Sequence, residues 1–386
     1  MTLHTGLVHS RGTTASYIDS SGILQYTTGL RTQHASGVAT GVLVEGAATN
    51  VAVTTETFAT TWLVASPGSP TKSSVAITNP AGGGNSVKFQ RSSTSSSFMR
   101  YLYSKAASRQ YWTFSIFVKK GVGDYVALRV QGQYPGLAEI VVNINNGTLF
   151  TSREISGPSG TMNLVGYTIE PLGDSWYRLS VSAYTDAFSS VQAVFSCSSN
   201  GAWCDTVDSI TNSSCYMWGG NIVNQGYISS YIQHNGTTGT VTRNADVLYL
   251  DSVIEQGPGS LVITYSTDNP NSRTLASVGN STSDRLTVLD PTTSSKEMSI
   301  YESNVLTNSV TGSSSEKSIG VTWSTNKLTI VDSDSEFVTT GSITLPTLDR
   351  LFIGTRSTSG SELNGVISRL LYWPEQMSAQ QLRGYL

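Results

Sequence analysis

The chain has 386 residues, enough for about two or three domains that each bury a core. Charged residues make up only 13% and net charge is −3, with no basic cluster beyond Lys119-Lys120, so the basic face that binds nucleic acid is absent. No apolar run approaches the ~18 residues of a membrane span, and the opening MTLHTGLVHSRG has no basic-then-apolar leader, so neither membrane insertion nor signal-peptide export is expected.

Ser and Thr supply roughly a quarter of the chain, which with 18 Tyr, 36 Gly and 11 Pro favours many short strands and an all-β fold. Residues 1–50 read as an extended arm broken by Gly6, Gly12, Gly22, Gly29, Gly37, Gly41 and Gly46. Within it, ASYIDSSGILQY is a hairpin on an Asp-Ser-Ser-Gly turn, and Val42-Leu43-Val44 is a short apolar run. Such pieces have too little apolar surface to fold alone, so the arm is expected to anchor the protein by adding strands to a neighbour's sheet edge or by threading along the surface that carries it. Deleting residues 1–36 should then leave folded sandwiches behind.

Residues 51–250 alternate as a first antiparallel β-sandwich. YWTFSIFVKKG puts Trp112, Phe114, Ile116 and Val118 on one face, and Asn146-Gly147 marks a hairpin. SWYRLSVSAYTD alternates again through Tyr177, Leu179, Val181 and Ala183. The pattern restarts over residues 251–386, predicting a second sandwich that ends in a short helix opened by a Ser378/Gln381 capping box.

The segment GYISSYIQHNGTTGTVTRNADVLYLD, residues 226–251, gathers Tyr227, Tyr231, His234, Arg243 and Asp246. They form either a charged loop site or the seam between modules. The seam is the better reading, with both tyrosines on the edge of the first sandwich. Nucleophilic hydrolysis has little to draw on. Three of the four histidines (His4, His9, His34) lie in the arm, and no G-x-S-x-G elbow is present. Glycoside hydrolysis needs a carboxylate pair, for which Glu139, Glu170, Asp174, Asp205 and Asp208 are the candidates. Cys197, Cys204 and Cys215 fit no zinc spacing and read as three buried thiols, with one disulfide as the alternative, while DSDSE at 332–336 reads as a hairpin turn rather than a calcium loop. No metal or cofactor is expected. Trp112, Trp176 and Trp218 fall in alternating strands and read as core. Tyr134 and Trp203, in Gly-rich turns, are left as candidates for stacking on a glycan or for contact with a neighbouring subunit.

In order along the chain, TTASYIDSSGIL, GVLVEGAATN, YWTFSIFVKKG, DSWYRLSVSA and GYISSYIQHNGTTGTVTRNADVL resemble phrases of bacteriophage virion appendage proteins of the head-fibre, spike and tail-fibre type. The closing LNGVISRLLYWPEQMSAQQL is similar to the last strand and helix of concanavalin-A-like or laminin-G-like modules in such appendages. The resemblance implies a carbohydrate-binding-like jelly roll followed by a laminin-G-like one. It further implies a non-enzymatic structural protein, made in the host bacterial cytoplasm and carried on the virion surface, where it contacts the host. Its implied partners are other phage structural proteins of capsid or tail, reached through the arm, two further copies in a homotrimer, and a host cell-surface glycan. A receptor-binding, lectin-like tail protein is the alternative, and a polysaccharide depolymerase spike the third. The phrase GAATNVAV departs from the family, which is commonly richer in Arg and Leu there.

Overall fold

A computed structural model of the chain describes residues 7–35, 37–65, 70–91, 94–234, 239–251, 253–269, 271–279, 283–292, 294–356 and 362–386. The fold is all-β, with antiparallel sheets throughout the described residues and one short α-helix among them, Ala379–Arg383. The chain divides into two compact units. Unit 1 draws on Met1–Thr14, Thr27–Ala47 and Asn244–Leu386, and unit 2 on Ala15–Tyr26 and Ala48–Arg243.

Unit 2 is a sandwich of two six-stranded sheets. One runs Thr148–Ile155, Leu137–Asn143, Tyr125–Gln131, Ser190–Ser198, Phe98–Ser104, Leu63–Ala65. The other runs Asn163–Pro171, Trp176–Tyr184, Tyr111–Lys120, Ser214–Val223, Ser86–Gln90, Thr71–Val75. The alternation acts as the sequence predicts. Trp112, Phe114, Ile116 and Val118 enter the core beside Leu179, Val181 and Ala183, and meet Leu128, Ile140 and Phe195 of the facing sheet. Burying each of the Val, Leu, Ile and Phe side chains among them is worth about 1.5–3 kcal/mol relative to exposure. Gly147 turns the hairpin between Leu137–Asn143 and Thr148–Ile155 at φ +69, a region that favours glycine.

A further buried layer lies on the outer face of the second sheet, where Phe117, Trp176 and Trp218 pack with Leu24 and Tyr231. Leu24 arrives on the predicted hairpin Ala15–Ile18/Leu24–Thr27. Asp19 fixes its turn by accepting the N–H groups of Ser21 at 2.8 Å and Ile23 at 3.0 Å.

Unit 1 is built from two seven-stranded sheets. One runs Leu7–Ser10, Val247–Asp251, Arg350–Ile353, Arg273–Val278, Arg285–Thr292, Ser295–Glu302, Val305–Gly312. The other runs Glu336–Thr340, Lys327–Val331, Ser318–Trp323, Gly259–Thr267, Gly365–Trp373, Val38–Val44, Thr32–Ala35. The capping box forms as predicted, and Leu382 of the terminal helix packs on Val262, Val331 and Met377.

Residues 1–50, expected as an arm outside both sandwiches, are divided between the two units. Leu7 pairs with Leu250 and Ser10 with Val247, while Val42, Leu43 and Val44 pair with Ile367, Val366 and Gly365. Val42 and Val44 belong to the unit 1 core. The expected boundaries at 50 and 250 give way accordingly: unit 2 starts with the hairpin at Ala15, and unit 1 resumes at Asn244. The physical reason is the one that made the arm look unstable. Short glycine-broken strands need a sheet edge, and residues 244–386 supply it within the same chain.

Gly41 shows how close this pairing is, because a Cβ there would stand 2.4 Å from the carbonyl oxygen of Ile367. Gly41→Val is therefore expected to cost roughly 1–3 kcal/mol through overpacking. In urea unfolding this should lower the unit 1 midpoint and leave that of unit 2 in place; an unmoved unit 1 midpoint would argue against the pairing.

Candidate functional site

The charged residues of the 226–251 segment go to different places. Asp246 is 1% exposed and stands in unit 1 at the head of strand Val247–Asp251. Its Oδ1 accepts from Arg11 and from His9 Nε2 at 3.2 Å, and its Oδ2 accepts from Arg31 and from the Glu45 N–H at 2.9 Å. Arg31 also pairs with Glu45, and the Asp246 N–H returns to Glu45 O at 2.8 Å. Arg11 donates further to the carbonyls of Thr13, Thr27 and Gly29. Burial works against the charge on Arg31, but Glu45 and Asp246 outweigh it and hold its pKa above the usual value.

The position of this cluster explains it. The chain passes between the units after residues 14, 26, 47 and 243. Arg11, Arg31, Glu45 and Asp246 each stand a few residues from one of those passages, on the unit 1 side. Two guanidinium groups and two carboxylates thus tie together the four strands of chain that leave unit 1. Sequence reasoning placed Asp246 at a seam but missed its partners. A usable signal was present: Arg11, Asp19, Arg31 and Glu45 are the charged residues of the first fifty, and three of them stand at or near a glycine and in this cluster.

His234 and Arg243 belong to unit 2. Both nitrogens of the buried His234 ring face backbone: Nε2 lies 2.6 Å from Gly239 O, and Nδ1 accepts the Thr54 N–H at 3.4 Å. Arg243 is buried in the ribbon that Val241–Arg243 forms with Ala48–Asn50. Tyr231 was expected on the module's edge but is 1% exposed, in ring contact with Phe117 and Trp218. Its hydroxyl meets Thr55 at 3.0 Å and Glu56, and burial followed by the Glu56 charge pushes its pKa up. Tyr227 is half-buried. The stretch around these tyrosines is a strap over the outer face of the sheet, held by Arg178 Nη2 donating to Ser229 O at 2.6 Å.

Trp203 and two of the candidate carboxylates meet on the outer face of the other unit 2 sheet. Cross-strand pairing brings Arg153, Glu139 and Arg129 into one row. Glu139 Oε2 accepts from Arg129 at 2.9 Å and Arg153 at 2.6 Å, and its Oε1 takes the Cys204 N–H at 2.8 Å. Asp205 bridges the same two arginines at 3.1 and 2.6 Å. The Arg153 guanidinium lies 4.4 Å from the Trp203 ring centroid, so one face of that indole is taken inside the chain. Burial opposes the charge of Asp205, but Arg129 and Arg153 outweigh it and hold its carboxyl below the usual range. Tyr134 sits in the turn between Tyr125–Gln131 and Leu137–Asn143 and is 73% exposed.

Asp208 is a structural acid. It accepts from the Ser199 hydroxyl at 2.6 Å and from the N–H groups of Ser199 at 3.0 Å and Ser209 at 2.7 Å. Burial raises its pKa, but these hydrogen bonds outweigh burial and the net shift is downward. A depressed carboxyl adds stability above its unfolded pKa of about 3.9 and loses it as pH falls through the folded value. Asp208→Asn should therefore flatten the acid limb of unfolding below about pH 4. A wild-type acid limb in the variant would contradict this.

The DSDSE stretch is a hairpin turn in which Asp332 accepts the N–H groups of Asp334 and Ser335, and Glu336 pairs with Lys327. Cys197, Cys204 and Cys215 are buried free thiols, and burial pushes those of Cys204 and Cys215 up.

No protein-family model matches the chain, and no curated protein matches it. Among solved structures, domains LG4-5 of the mouse laminin alpha1 chain match over 72% of this chain and 86% of that one, at 12% identity and a TM-score of 0.25. The LG1-3 region of the laminin alpha2 chain matches over 73% of this chain and 66% of that one, at 12% identity and a TM-score of 0.25. Both are built of laminin G-like jelly-roll modules.

Proposed function

We propose that the chain is a non-enzymatic structural protein of a bacteriophage particle, displaying two β-sandwich units on the virion as a head fibre, spike or tail fibre that contacts the host surface. The phage part of the reading rests on the ordered phrases of the sequence. The non-enzymatic part rests on one observation: His234 and most of the candidate carboxylates are committed to structure. His234 is held by backbone, Asp246 neutralises two buried arginines, and Glu139 and Asp205 share Arg129 and Arg153. A general acid or base must be able to change its protonation state, and such pairings oppose that.

The proposed assembly is a homotrimer. Leu63 and Leu102 stand 49% and 53% exposed on one face of the unit 2 edge, where Leu63–Ala65 pairs with Phe98–Ser104, and Val64 is 44% exposed beside them. An aliphatic edge strand of this kind is a natural surface for a second copy of the chain. Labelling purified particles with an antibody to the chain should decorate their surface under the electron microscope. Particles that lack the protein, while the infected lysate contains it, would overturn the reading.

The lectin-like alternative draws on the exposed ring of Tyr134. A glycan-array signal lost in Tyr134→Ala would favour it, and release of reducing ends from host capsule would favour the depolymerase.

A further inference from the structure

The outer face of the first unit 1 sheet carries two arginines that meet no carboxylate among the described residues. Leu286 and Val288 point into the core, which puts Arg285 and Thr287 on the opposite face of their strand. Arg285 is 8% exposed, lies 4.3 Å over the Tyr301 ring and donates to Asn304 Oδ1 at 3.2 Å. Arg356 donates to Thr274 Oγ1 at 3.2 Å. Between the two arginines runs the cross-strand row Ser277, Thr287, Ser299. Glu297, an acidic residue of the same face, is turned to the Ser299 hydroxyl.

Two buried polar atoms here have no hydrogen-bond partner: Arg285 Nε and Thr287 Oγ1, the latter on a residue with 0% exposure. A buried guanidinium without a counter-charge is costly, and so is an unsatisfied buried hydroxyl. Burial, and then the nearby Arg356, push the Arg285 pKa down, so the two cations are close enough to repel. Native proteins keep such groups where something else satisfies them. Two guanidinium groups flanking hydroxyls suit an oxyanion.

We propose that Arg285 and Arg356, with the Ser277–Thr287 pair beneath them, form an oxyanion site that takes the carboxylate of an acidic sugar. The sugar part rests on the host-contact reading above, whereas the oxyanion part stands on the geometry alone.

The test is calorimetric titration of the full-length protein with glucuronate, inorganic sulfate and glucose at constant ionic strength. Saturable glucuronate binding is expected, with none for glucose. Arg285→Gln and Arg356→Gln should each weaken it about tenfold or more, because a hydrogen bond to a charged group is worth that factor. Lys327→Gln, on the other unit 1 sheet and paired with Glu336 at 3.3 Å, should bind as wild type does. The melting temperature of ligand-free Arg285→Gln guards against misfolding. It should equal or exceed that of wild type, since the variant removes an uncompensated buried cation. No saturable binding of either anion, or binding indifferent to both arginine variants, would overturn the site. Sulfate binding without glucuronate binding would overturn the sugar assignment and leave the particle-labelling test of the host-contact reading untouched.

Discussion

A chain lacking residues 1–36 is expected to lose the fold of unit 1 while unit 2 keeps its sandwich core. The deletion removes the paired strands Leu7–Ser10 and Thr32–Ala35 from the edges of both unit 1 sheets. It also removes Arg11 and Arg31, leaving Glu45 and Asp246 buried without the guanidinium groups that neutralise them. An uncompensated buried charge costs several kcal/mol, and two approach the whole stability of a typical domain, about 5–15 kcal/mol. This reverses the expectation that follows from reading residues 1–50 as an external arm. Near-ultraviolet circular dichroism and proteolysis of the truncated protein decide the matter. Two protected units in the truncation would show that the N-terminal strands are dispensable.

Asp246→Ala should cost unit 1 about 3–5 kcal/mol, the usual consequence of removing one partner from a buried charge cluster. The loss comes from Arg11, which would remain buried with its carboxylate gone, and from Arg31, which would be left with Glu45 alone. Denaturant unfolding should show a reduced unit 1 midpoint. A double variant, Asp246→Ala with Arg11→Met, should recover part of the loss, since an apolar side chain in that place needs no counter-charge. A single variant within about 0.5 kcal/mol of wild type, the range of ordinary surface substitutions, would mean that the cluster contributes little.

The all-β class and most individual strands were legible in the sequence because they depend on local pattern. The alternation through Trp112, Phe114, Ile116 and Val118 reports which face is buried wherever the partner lies. The Asp-Ser-Ser-Gly turn and the Ser378/Gln381 box are local in the same sense. The division of the chain was not legible, because it depends on contacts such as Arg11 with Asp246, 235 residues apart. A strand of four residues carries no mark of which sheet it joins. Tyr231 illustrates a related limit. Its spacing from Tyr227 gave both rings one side in an extended chain, yet Tyr231 is 1% exposed, buried against Trp218, while Tyr227 is half-buried. Trp203 looked like a free loop aromatic because nothing local reveals that Arg153 stacks on it.

The most direct test of this architecture is a single cut between Gly239 and Thr240, both exposed, through an inserted protease site. Unit 1 would then be assembled from two polypeptides, because its strands Leu7–Ser10, Thr32–Ala35 and Val38–Val44 lie before the cut and the rest after it. The fragments are expected to co-elute as one complex in native size-exclusion chromatography and to separate only in denaturant. Two separately eluting, folded fragments would contradict the account and restore an N-terminal arm followed by independent sandwiches.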